Sequence, residues 1–116
     1  MKAVIIEKFG DLEGSIIKEE VPIPKPNRDQ VLIKVRAAGV NRPDILQRKG
    51  LYKVPLNASP IMGLEVAGEI VEMGDDVSTR VLGERVTALV PGGGYAEYVV
   101  TNHEHCLPIP KGYTFE

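Results

Sequence analysis

The stretch Val31-Leu32-Ile33-Lys34-Val35-Arg36-Ala37-Ala38-Gly39-Val40-Asn41-Arg42-Pro43-Asp44-Ile45-Leu46-Gln47-Arg48-Lys49-Gly50 changes its periodicity once, and the fold class turns on that change. In the first half Val31, Ile33 and Val35 alternate with Leu32, Lys34 and Arg36, the period-two pattern of a strand with one buried face. That strand runs on into residues 37–40. From Asn41 the alternation stops. Pro43 suits the first turn of a helix, Asp44 suits its positive end, and Gly50 can close it in the left-handed conformation. Residues 41–50 therefore predict a short helix, the only one the pattern supports.

Toward the N-terminus, residues 1–7 and 16–21 read as two strands of a hairpin around a turn at residues 10–14. Pro22, Pro24 and Pro26 then impose an extended crossing segment, because proline donates no ladder hydrogen bond. Toward the C-terminus, residues 52–60 read as loop. Residues 65–73 and 81–89 read as strands on either side of a turn at Gly74-Asp75-Asp76. Pro91-Gly92-Gly93-Gly94 breaks the chain, residues 95–100 alternate again, and a last strand is expected at 106–109. Thr114 is placed as the N-cap of a further helix, which the chain is too short to hold. Many short strands, frequent Gly and Pro, and one helix predict a mainly β fold, a compact barrel with short helices rather than a doubly wound sheet.

At 116 residues the chain predicts one domain, 1–116, with a core of its own. A net charge of −2 with 26% charged residues is the balance of an ordinary globular protein, not of a nucleic-acid binder. Its longest apolar runs fall far short of the roughly 20 residues that span a bilayer, and the N-terminus lacks a signal-peptide pattern. A cytoplasmic protein with no nucleic-acid or membrane partner is expected. The charges are uneven. Residues 34–53 carry six bases against Asp44, and residues 54–84 carry six acids against Arg80. Two solvated faces are the plain reading; a cationic rim for an anionic ligand is the sharper one.

Cys106 is the only cysteine, which excludes an internal disulfide and a four-cysteine zinc site. His103 and His105 alternate beside it and can point to one side of a strand, but no further ligand accompanies them, so no metal site is assigned. The glycines suit tight packing and turns. None belongs to a G-x-G-x-x-G run that follows a strand and opens a helix, so no diphosphate cradle is expected.

Residues 38–52 (AGVNRPDILQRKGLY) and 63–74 (GLEVAGEIVEMG) closely resemble the GroES-like catalytic domain of medium-chain dehydrogenase/reductases, and NRPDILQRKGLY is similar to the quinone oxidoreductase branch. Weaker agreement at Gly83–Val86, Gly93–Tyr98 and Leu107–Pro110 extends the resemblance over the whole chain. It implies a GroES-like β-barrel truncated before a Rossmann domain. Zinc enzymes of that superfamily place a cysteine where this chain has Asn41 and a histidine where it has Leu64. An amide is a poor zinc ligand and leucine is none.

The resemblance thus implies a zinc-free reductase. NADPH, bound mainly by the absent nucleotide-binding domain, would reduce a quinone or an activated alkene or carbonyl. The parent would be a homodimer, inactive as the present fragment alone. Asn41, Asp44 and Tyr52 are implied to line the cleft, with Asn41 and Tyr52 also touching the cofactor. Plainer readings stand beside these: Asn41 as a helix cap, Asp44 as a first-turn acid, Tyr52 as a half-buried rim aromatic, and Glu65 as one partner of an ion pair. Rival readings are a free-standing interaction or regulatory domain derived from a reductase, and a co-chaperonin-like binding module.

Overall fold

The computed structural model describes residues 1–116. A hairpin of β1 (Ala3–Ile6) and β2 (Ser15–Lys18) precedes a five-stranded antiparallel sheet. Its strands are β3 (Gln30–Ala38), β4 (Glu65–Met73), β5 (Arg85–Leu89), β6 (Tyr98–Asn102) and β7 (Cys106–Pro108), in the spatial order β6-β3-β4-β5-β7. One helix, α1 (Arg42–Arg48), leaves the end of β3. The expected mainly β architecture with short helices is the one found, including the extended proline segment at residues 20–27.

The alternation read from β3 holds. Val31 and Ile33 are fully buried and point into a cluster with Val66 and Ile70 of β4, Val86 and Ala88 of β5, Val99 of β6 and Cys106 of β7. All five strands thus feed one core from one face, which a single sheet can do only by curling round it. Leu32 on the other face is buried as well, at 5% exposure. That face lies toward the hairpin. Tyr98 and Val100, opposite Lys34 and Leu32, line a cleft of about 550 Å³ with Ile5, Val21 and Pro22. The hairpin is tied in by main-chain bonds: Val4 N–H donates to Tyr95 O at 2.8 Å, and Met62 N–H donates to Val4 O at 3.3 Å.

Two local expectations are corrected. The strand expected from Tyr95 begins at Tyr98, because the Tyr95 main chain bonds to Met62 and Val4 instead of to β3. The strand expected from Val81 begins at Arg85. Residues 81–84 form a turn there, with Glu84 N–H on Val81 O and the Glu84 carboxylate on Arg80. Past β7 the chain turns at Pro110–Tyr113, and Phe115 packs 4.3 Å under the Arg85 guanidinium.

The two charge runs also meet. β3 and β4 pair so that Lys34 lies opposite Glu69, and Arg36 reaches Glu69 at 3.3 Å. One ion pair, Arg36–Glu69, thus joins the two runs across neighbouring strands.

Candidate active site

Asn41, three residues past the end of β3, has extended backbone and caps α1. Pro43 in the first turn needs no hydrogen-bond donor there, and so starts the helix. Asp44 then reaches back: its Oδ2 accepts the Asn41 main-chain N–H at 2.9 Å. A helix of seven residues is too short to persist on its own, so its placement depends on such ties.

Asp44 is more than a first-turn acid. It is 2% exposed, and the same Oδ2 accepts the Tyr95 hydroxyl at 2.6 Å. Its Oδ1 is sealed from solvent without a partner. Burial, then the hydrogen bond to Asp44 and the charge of that carboxylate, push the Tyr95 phenol well above its ordinary range.

The Asn41 side chain turns the other way. Its Nδ2 donates to Glu65 Oε2 at 3.1 Å, joining the start of α1 to the start of β4. The carboxylate fits there because residue 39 is glycine. A Cβ at position 39 would stand 1.9 Å from Glu65 Oε2. The ion pair expected of Glu65 is not made; its partner is an amide. Gly39 and Glu65 open onto a cavity of about 250 Å³ bounded also by Ala38, Thr87 and Phe115.

Of the residues singled out in the sequence, Asn41 and Asp44 come together: Asn41 N–H donates to Asp44 Oδ2 at 2.9 Å, and Asp44 N–H donates to Asn41 O at 3.0 Å. Tyr52 does not join them. It lies half-buried in the loop after α1, and its hydroxyl bonds to no other residue. Tyr95 carries no such mark in the sequence, because residues 95–100 look like strand and nothing in their pattern points to an acid 51 positions away. The histidines separate: both lie on a 3-10 turn, with His103 Nδ1 on Thr79 and His105 Nδ1 on Thr101.

The profile of the alcohol dehydrogenase GroES-like domain matches residues 27–111, well over half of the chain. The chain belongs to that family, as an N-terminal domain of the medium-chain dehydrogenase/reductase superfamily. It is 37% identical over 117 residues to the quinone oxidoreductase of Lama guanicoe, covering all of this chain and 36% of that protein. The crystal structure of the human synaptic vesicle membrane protein VAT-1 homolog-like protein superimposes with a TM-score of 0.90 at 31% identity, over 99% of this chain and 37% of that one. Escherichia coli quinone oxidoreductase, solved in complex with NADPH, gives 0.88 at 25% identity over 99% and 35%. This chain therefore spans little more than a third of the length of these relatives.

Proposed function

We propose that this GroES-like domain is the substrate side of a zinc-independent, NADPH-dependent reductase of quinones or of activated alkenes or carbonyls. Likeness to quinone oxidoreductases supports the reductase class, and the NADPH complex of one such relative supports the cofactor. The observation that carries the reading is the Asn41–Glu65 hydrogen bond. It joins the two motifs on which the resemblance rests, in which an amide and Leu64 stand where a metal-binding relative needs two ligands. Neither residue suits zinc, and Cys106 is buried in the barrel core on β7.

When bound, NADPH supplies the hydride. The main-chain pattern for holding its diphosphate is not among these 116 residues, so the reading assigns that task to a nucleotide-binding domain elsewhere in the protein. The residues of this chain would orient the acceptor. Asn41 has one N–H committed to Glu65 and a second to offer to a substrate oxygen or to the cofactor. Asp44 holds the Asn41 backbone, and Tyr52 closes the rim. No helix is long and apolar enough to cross a membrane. A cytoplasmic homodimer acting on small molecules, without nucleic-acid or membrane partners, completes the proposal.

The test is NADPH fluorescence titration and quinone-dependent NADPH oxidation, run on the 116 residues and on the product of the complete open reading frame. Binding and turnover by the complete product alone is the expected result. Inactivity of both would favour an interaction domain derived from a reductase.

A further inference from the structure

We infer that Tyr95 is a positioning residue for the Asn41 amide, acting through the Asp44 carboxylate. Three hydrogen bonds run in series across three parts of the chain. The Tyr95 hydroxyl donates to Asp44 Oδ2 at 2.6 Å, Asn41 N–H donates to the same oxygen at 2.9 Å, and Asn41 Nδ2 donates to Glu65 Oε2 at 3.1 Å. The first link is rigidly mounted. Tyr95 N–H donates to Met62 O and Tyr95 O accepts from Val4 N–H, both at 2.8 Å. Its ring lies against Gly63, where a Cβ would come within 2.6 Å of Cδ1 and 2.4 Å of the Tyr95 nitrogen.

The middle link depends on the first. Asp44 Oδ1 has no partner, so the orientation of this buried carboxylate rests on the two donors at Oδ2. Only one of them, the phenol, comes from outside the helix start. Without it the carboxylate is free to turn its other oxygen toward a donor, the Asn41 backbone loses its fixed acceptor, and the amide that faces Glu65 swings. A purely structural Tyr95 would stabilise the fold and leave the Asn41 amide where it is.

The inference rests on the reading of Asn41 as a cleft residue, and the test separates the two. Tyr95→Phe, which keeps the ring, is made in the product of the complete open reading frame, alone and with Asp44→Ala. The side-chain amide pair of Asn41 is followed in ¹H–¹⁵N spectra and assigned by its loss in Asn41→Asp. NADPH oxidation by 1,4-benzoquinone is measured in parallel. Tyr95→Phe is expected to shift or broaden the Asn41 amide pair and to lower kcat/KM about tenfold, as for one hydrogen bond to a charged group. On the Asp44→Ala background it is expected to change neither, because the path is already cut.

An unmoved Asn41 amide in Tyr95→Phe, whatever happens to the melting temperature, overturns the inference. So does an undiminished effect of Tyr95→Phe in the double variant. If Asp44→Ala fails to fold, the amide signal of Tyr95→Phe alone decides. If the wild-type protein oxidises no NADPH, the functional reading fails while the amide signal still decides the role of Tyr95.

Discussion

Two glycines at the site stand against different kinds of neighbour, and the difference sets what each substitution should do. At Gly39 the obstructing atom is the tip of the flexible Glu65 side chain, which can swing aside. Gly39→Ala is therefore expected to cost less than about 1 kcal/mol in urea unfolding, yet to break the Asn41–Glu65 bond and lower activity. At Gly63 the nearest obstructing atom is the Tyr95 backbone nitrogen, the Tyr95 ring and the Gly94 backbone stand close behind it, and φ is +97°. Gly63→Ala should cost more than about 2 kcal/mol by the same measurement, from strain in φ added to collision with Tyr95. Titration adds a third expectation. Burial raises Cys106 above its ordinary 9.0, and burial with Asp44 raises Tyr95 above 10.0. Both groups stay protonated in the fold at pH values where the unfolded chain has lost the proton. Their contribution is complete below pH 9 and is lost as the pH climbs past 9 and then 10. Urea midpoints measured from pH 7 to 11 should fall only on that alkaline side.

At the scale of elements, the strands and α1 were legible because their signals are local: alternation in β3, and Pro43 with Asp44 at the helix start. What stayed hidden depends on distant partners. Nothing within residues 95–100 reveals that Tyr95 belongs to Asp44, and nothing within 81–84 reveals that Arg80 claims this stretch as a turn. Asn41 and Asp44 were found as site candidates, while the pairing of Asn41 with Glu65 needed the β3–β4 register to bring 41 and 65 together. Arg80 shows how such a partner organises an element. Its guanidinium binds Glu84 at 2.7 Å, the His103 carbonyl at 3.3 Å and the Cys106 carbonyl. One planar group thus fastens the turn before β5 to the turn before β7. Arg80→Lys keeps the charge but cannot supply three donors in that fixed fork. It is expected to lose about 1.5–3 kcal/mol in urea unfolding, with faster amide exchange at β7. Stability within error of wild type would mean that the fork contributes nothing beyond charge.

Across the whole molecule, the hairpin and the sheet are attached by different means, and this should appear in how the protein opens. The core cluster draws on β3 to β7 and contains no residue of β1 or β2. Ala3, 2% exposed, is the one hairpin residue buried outright. The hairpin is held mainly by main-chain bonds to Met62 and Tyr95 and by Lys2 to Glu97, over a cleft of about 550 Å³ that leaves its apolar residue Ile5 and the following Val21 incompletely packed. Burial of apolar side chains supplies most of the cooperative free energy, at about 25 cal/mol per Å². A unit with little of it opens below the global limit. Native-state hydrogen exchange on the 116-residue chain is therefore expected to show the β1–β2 amides opening at lower free energy than those of β3 and β4. Ile33→Ala, which removes a fully buried side chain at the centre of the cluster, should lower the sheet's opening free energy by about 2–5 kcal/mol. The hairpin's lower value should barely move until the global limit drops beneath it. Equal opening free energies for hairpin and sheet would show instead that the main-chain bonds at Met62 and Tyr95 make them one cooperative unit.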